Sequence, residues 1–342
     1  MKRKLLRLVM LFVTTVLTNS TFAQSSTLAT LSHEGTISSY YGVTALKEAY
    51  NAAVDGDVIT LASGSYLAID LTKAVSICGA GMRLDVTKNI EPTIISGNFK
   101  INVPTDNTAR FTIEGVYHNG EIRFENCQNA MFLKCRFYKF SAYVNLATLT
   151  GHIDNTSFVN CRIAKELYLN KNCSATLINC IVSGIDCKDQ NTSNLEIYNS
   201  IIKGEGSLIK SSDIRNCIIY ETTKSQIPSE NTIYNTLVLA GTNVLYYHPN
   251  NIYSRLSLEE CSLVFKTYTG EDFDKIDNEE FELTDEAKAK YLGTDGTEVG
   301  IYGGNLPFDP TPTNPQITKC NVASKSTADG KLSVDIEVKA AE

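Results

Sequence analysis

The 342-residue chain lacks a surplus of basic charge, a second long apolar run and any closely spaced cysteine pair, and each lack excludes something. Lys and Arg number 31 against 38 Asp and Glu, for a formal charge of −7. An acidic body repels phosphate backbones, and no basic stripe with interleaved aromatics offsets it, so nucleic acid is not an expected partner. The single apolar run, Leu8 to Leu17, falls well short of the roughly 20 residues a spanning helix requires. No CxxC pair is present and the four His are scattered, so no metal site of the zinc type is expected.

What is present begins with a leader. Met1-Lys2-Arg3-Lys4-Leu5-Leu6-Arg7, the apolar run, and Thr18 to Ala23 with small Thr21 and Ala23 form the three parts of a secretory signal peptide over residues 1–23. No cysteine lies near the expected cut, so a lipid anchor has no residue to carry it. The mature chain is expected in the periplasm, at the cell surface or outside the cell. Losing Lys2, Arg3, Lys4 and Arg7 takes the charge from −7 to −11.

A short phrase then recurs: apolar, any, Asn, small, any, apolar. It reads Phe158-Val159-Asn160-Cys161-Arg162-Ile163, Leu177-Ile178-Asn179-Cys180-Ile181-Val182, Ile197-Tyr198-Asn199-Ser200-Ile201-Ile202, Ile214-Arg215-Asn216-Cys217-Ile218-Ile219 and Ile233-Tyr234-Asn235-Thr236-Leu237-Val238. Looser copies place Lys134 before Cys135 and Glu260 before Cys261. Steps between the small residues run 26, 19, 20, 17, 19 and 25, averaging 21. That period fits one coil of a β-solenoid and is too short for paired-helix repeats. A leucine-rich repeat would need a leucine consensus and helical returns, and the chain has neither.

Apolar or small residues sit at −2, +1 and +3 from the Asn, so strand alternation slips by one there. A single residue in the left-handed region would turn the chain and reset its inward face, and Asn tolerates that region better than any residue but Gly. Asn160, Asn179, Asn199, Asn216 and Asn235 are therefore expected at corners, stacked about 4.8 Å apart and able to form an amide ladder. Cys135, Cys161, Cys180, Ser200, Cys217, Thr236 and Cys261 would form a small-residue column beside them, with Cys127, Cys173 and Ser193 in a second. Ten cysteines in an exported chain usually suggest disulfides. The column instead points to buried thiols, because the rung spacing exceeds the roughly 3.8 Å between β-carbons of a disulfide.

At the N-terminal end, Ala45 to Ala53 has helical spacing with Thr44 as an N-cap candidate, followed by Asp55-Gly56-Asp57, the strand Val58-Ile59-Thr60-Leu61 and Gly64-Ser65-Tyr66. This order resembles the cap and first coil of the pectin-lyase-like β-helix superfamily. Phe281-Glu282-Leu283 and Gly293 to Gly304 resemble the closing segment of secreted β-helix proteins of gut Bacteroidetes. The resemblance spans about residues 36 to 305 and implies an all-β, right-handed parallel β-helix of roughly ten coils over residues 24–304. A Pro-rich spacer at 305–315 and a β-hairpin tail at 316–342 would follow, the hairpin signalled by Asp329-Gly330. The hairpin is too small to bury a core alone, so it is expected either to dock on the solenoid or to pair with another chain.

Lyases of that superfamily pair calcium-binding carboxylates with an Arg or Lys base, and its hydrolases use close Asp residues with downstream His and Arg-x-Lys. Neither set is present. Asp186, Lys188 and Asp189 form the best local carboxylate candidate, against the alternative of a solvated loop. The acidic run Asp272 to Glu280 lacks the glycine of an EF-hand loop; calcium is the only metal it leaves open, and no other cofactor is called for. His33, His118 and His152 have no motif partner and read as structural. Tyr198 and Tyr234 fall at an outward offset, and the longer last coil carries Tyr246, Tyr247 and Tyr253, aromatic faces on which sugars stack. The function expected is noncatalytic binding of glycan or another macromolecule at the cell surface. A polysaccharide lyase or glycoside hydrolase with an atypical site, and a structural or assembly module, are the alternatives.

Overall fold

The computed structural model describes residues 27–85, 90–104, 109–142, 153–169, 173–187, 194–203, 209, 211–221, 231–240, 250–253, 256–257, 260–267, 281–322, 329–331 and 333–339. The leader (1–23), Lys188, Asp189, Tyr246, Tyr247, His152, Ser193 and the acidic run 272–280 lie outside these residues.

The chain is a parallel β-solenoid. The apolar residue two places before each corner stacks on its counterpart in the next coil, giving one column: Ile59, Ile77, Ile113, Phe132, Phe158, Leu177, Ile197, Ile214 and Ile233. All nine are sealed from solvent. After the corner a second parallel sheet carries its own inward column: Ile95, His118, Phe137, Ile163, Val182, Ile202, Ile219 and Val238. Between the two, Phe132 and Phe158 stack with ring centroids 4.9 Å apart, and Phe137 and Phe140 meet them edge-on.

The corners are single left-handed residues. Asn160, Asn179, Asn199, Asn216 and Asn235 have φ of 53°, 50°, 45°, 57° and 40°, and Lys134, in the equivalent place, has 52°. Each such turn interrupts the backbone ladder. The corner N–H still reaches the next coil, as Asn179 N does to Tyr198 O. The following N–H meets a side chain instead: Cys180 N donates to Ser200 Oγ, Ser200 N to Cys217 Sγ, Cys217 N to Thr236 Oγ1, and Thr236 N to Asn251 Oδ1. Each hydroxyl or thiol in turn donates to the carbonyl two residues back, as in Ser200 to Tyr198 O and Cys217 to Arg215 O. Small size is thus only half the requirement of this column. The residue must also accept one hydrogen bond and donate another, which Cys, Ser and Thr do and Ala does not. Burial pushes the Cys217 thiol up to about 12, so that sulfur stays protonated and unreactive.

The asparagine amides do not form the expected ladder at this corner; those of Asn179, Asn216 and Asn235 bond the segment described below. One amide rung occurs at a different corner, where Asn155 Nδ2 donates to Asn129 Oδ1 and both residues have positive φ. Cys261 also departs from expectation: it opens a short helix, Cys261–Val264, and Asn251 takes the next rung after Thr236. Cys127 and Cys173 do share a column, separated by Ile153.

The N-terminal end is closed by helix Ala45–Ala52, which buries Ala45, Leu46, Ala49 and Tyr50 over the open coil. Thr44 does not cap it through its side chain, since its hydroxyl donates to Glu48 instead. An antiparallel hairpin, Leu28–His33 with Thr36–Tyr41, extends the first sheet beyond strand Val58–Leu61. His33 Nδ1 lies 2.8 Å from Asp57 Oδ1 at its tip.

The segment after the last coil runs back along the corner line rather than away from it. Thr284 caps helix Asp285–Lys290 by accepting from Ala287 N. Phe281, Leu283, Ala287, Tyr291, Val299, Ile301 and Phe308 then pack on Ile181, Ile201, Ile218, Leu237 and Leu239 as a second core outside the solenoid. The segment expected as a spacer, 305–315, continues this strap. Lys134 Nζ donates to Thr311 O and pairs with Asp309, Thr313 bonds Glu114, and Pro312 lies so close that a β-carbon on Gly115 would sit 2.8 Å from it. Beyond the strap, Gln316–Val322 and Val334–Lys339 pair antiparallel as a sheet of their own.

Two outcomes follow for stability. Ser200→Ala strands a buried N–H at Cys180 and should lose about 1–3 kcal/mol in denaturant unfolding, whereas Ser200→Cys should lose clearly less; equal losses would contradict the ladder. His118 sits in an apolar column, where burial pushes its pKa down to about 4 despite its bond to Gly97 O. Its folded pKa lies below the ordinary 6.5, so its contribution is complete above pH 6.5 and is lost as pH falls through 4. His118→Phe should flatten the decline in unfolding free energy across that window, and an unchanged slope would contradict this assignment.

Candidate functional site

With the corner line covered by the strap, the outward face of the first sheet is the surface that the repeat presents. Register places Leu133, Val159, Ile178, Tyr198, Arg215 and Tyr234 in one outward row, and Met131, Ser157, Thr176, Glu196, Asp213 and Thr232 in the row beside it. From Leu133 on, the first row changes from apolar to Tyr, Arg and Tyr, while the second carries Glu196 and Asp213 before ending on Thr232. Tyr198 and Tyr234 are two rungs apart, about 9.6 Å by strand spacing, and Arg215 fills the rung between them.

Arg215 is held in place. Its Nε and Nη2 contact the two carboxylate oxygens of Asp213 at 2.8 and 2.5 Å, and its guanidinium carbon lies 5.0 Å from the centre of the Tyr234 ring. The Asp213 hydrogen bonds raise the arginine's pKa further, so the charge is permanent. Partial burial raises the Tyr198 pKa, aided by the negative charges of Glu196 and Asp213, so its phenol stays neutral. The result is a half-buried strip of ring, guanidinium and ring. One cation stands beside two carboxylates, so the strip carries a small negative charge overall.

The strap braces this strip from behind. Each of its three residues precedes a corner Asn, and those asparagines face the strap. Asn216 Oδ1 accepts from Thr294 N at 2.8 Å while its backbone carbonyl accepts from Gly300 N at 2.8 Å. Asn235 Nδ2 donates to Leu292 O, and Asn179 Nδ2 to the carbonyls of Ile301 and Gly303. A β-carbon on Gly303 would sit 1.8 Å from the Glu298 carbonyl oxygen, which requires a glycine there, and 2.8 Å from Asn199 Nδ2.

The other candidates fall differently. Asp186 is buried in register with Tyr168 on the second sheet, not on a solvated loop, so it cannot serve as an exposed carboxylate. Tyr253 belongs to the strap contact: its hydroxyl donates to Leu292 O and its ring meets Tyr291 edge-on at 5.3 Å. A separate cleft of about 570 Å³ lies between the N-terminal helix and residues 67–73. Its Lys73 ammonium is occupied by the carbonyls of Tyr50, Asn51 and Ala53 at the helix end. No group of three or more His, Cys, Asp or Glu able to hold a metal occurs among the described residues. Arg215, Asp213 and Glu196 were not among the residues the sequence pointed to. Their signal was available, since Arg215 holds the −1 place of its phrase between two phrases that hold Tyr there.

The fold and this face define a parallel β-solenoid with one aromatic–cationic strip. Comparison with known proteins finds no matching family model, no matching curated protein and no matching solved structure. The fold therefore stands on its own register and corners. Among the described residues, no helix is long and apolar enough to cross a membrane.

Proposed function

We propose that this chain is an exported, noncatalytic β-solenoid that binds a neutral glycan on the strip formed by Tyr198, Arg215 and Tyr234. The carrying observation is one outward row in which a guanidinium fixed by Asp213 lies against the Tyr234 ring, with Tyr198 on the rung before it. Sugar rings pair their C–H faces with aromatic faces, while a guanidinium and flanking carboxylates satisfy hydroxyls. Rungs of a solenoid repeat at a length close to one pyranose in an extended chain, which suits a linear polymer lying along the axis. The net negative strip on a net negative chain disfavours acidic polysaccharides. Export rests on the leader, and the pectin-lyase-like likeness on the cap and closing segments.

A panel of neutral and acidic polysaccharides, scored for retention and for cleavage with and without calcium, tests this. Retention on at least one neutral polymer is expected, with Tyr198→Ala and Tyr234→Ala each weakening it about three- to tenfold, the worth of one ring contact. Retention on none, or retention untouched by both substitutions, would overturn the reading. The appearance of unsaturated or reducing ends would replace it with a lyase or a hydrolase.

A further inference from the structure

The first sheet does not end at the solenoid's first coil. Strand Leu28–His33 adds antiparallel to Val58–Leu61, and Thr36–Tyr41 adds to that, pairing along its whole length on one side. Among the described residues, its other edge pairs with no strand. Open edges of this kind are normally guarded by lysine, proline, a bulge or a very short strand. The sequence Thr36-Ile37-Ser38-Ser39-Tyr40-Tyr41 has no charge and no proline, runs six residues and pairs without a register shift.

The same end also gathers exposed apolar side chains. Ile37 is 71% exposed, Tyr41 64% and Val43 58%, and Val54, Val58 and Leu67 are exposed nearby. Register explains the arrangement. Ala29 and Leu31 point into the core opposite Tyr40 and Ser38, so Ile37, Ser39 and Tyr41 line the outward face, with Ile37 level with Ser32 and Val58.

We infer that this edge pairs with the same edge of a second copy, joining two solenoids N-terminal end to N-terminal end through one continuous sheet. The choice of a second copy rests on self-complementarity. A two-fold axis through Ser39 makes the pairing antiparallel and sets Ile37 opposite Tyr41 of the partner subunit, and Tyr41 opposite the partner's Ile37. Those are aromatic–β-branched cross-strand pairs, among the favourable kinds. Ser39, the smallest residue of the outward row, lies on the axis. An isologous contact closes on itself, so the result is a dimer and not a fibre. The carboxylate of Glu34 stays at the hairpin tip, outside the paired residues.

Sedimentation velocity of the full exported chain across a micromolar concentration series tests the inference. A dimer is expected. Ser39→Lys and Ile37→Lys, both at exposed positions that leave the core untouched, should raise the dimer dissociation constant at least about tenfold while the unfolding midpoint stays put. A monomer at every concentration overturns the inference, as does a dimer that survives Ser39→Lys. Loss of the dimer on removing residues 316–342 would also overturn it, by assigning assembly to the C-terminal hairpin.

Discussion

Everything in this molecule depends on how a β-chain turns a corner without leaving a buried amide unpaired. A left-handed residue makes the turn in one step, but it rotates the next N–H out of the backbone ladder. An unsatisfied N–H in a water-free core costs about 1–3 kcal/mol, and the penalty would recur at every coil. The chain meets it with a column of side chains that each accept from the coil before and donate to their own strand, from Cys180 through Ser200 and Cys217 to Thr236, ending on Asn251. Cysteine, serine and threonine interchange along this line because each has a small polar atom on the β-carbon. The many buried thiols are thus part of the hydrogen-bonded frame rather than a redox device.

The same corner creates a second demand on its outer side. Turning there exposes the corner carbonyl, the Asn amide and the apolar residue two places on, which repeats as Ile181, Ile201, Ile218 and Leu237. A returning strap covers all three at once, with Gly300 on the Asn216 carbonyl, Thr294 on its amide, and Val299 and Ile301 on the apolar row. Where the corner is Lys134 instead of Asn, its ammonium reaches Thr311 and Asp309 of the strap. Burial opposes the charge on Asp309, but the Thr311 bonds and Lys134 outweigh it and hold the carboxyl below its usual range. The strap leaves the outward face of the first sheet uncovered, and the Tyr198–Arg215–Tyr234 strip lies on it.

Much of this was legible from the residues. The 21-residue period, the phase slip at Asn and the helix-turn-strand order of the N-terminal cap all read correctly, because local conformational preference and inward packing act on the same few residues. The strap was not legible as such, for a physical reason. Two consecutive apolar residues after each small one, as in Ile201-Ile202 and Ile218-Ile219, cannot both face inward on a strand. The doubled residue announced a second buried surface, but the pattern does not say what covers it, and the proline-rich stretch resembled a spacer. Tyr253 was placed among the outward aromatics for the related reason that a contact made by a distant segment leaves no mark in local sequence. Arg215 was passed over because a cation on the rung between two tyrosines breaks an aromatic pattern.

The left-handed corner is tested most directly at Asn199, the middle one of the five asparagine corners, whose amide makes its strap contact through packing against Gly303 and Gly304. Denaturant unfolding of Asn199→Gly and Asn199→Ala compares a residue free to adopt positive φ with one that is not. The glycine variant should be the more stable by about 1–2 kcal/mol, the cost of placing a β-carbon in that conformation. An alanine variant as stable as the glycine one would contradict the corner, and with it the solenoid built on it.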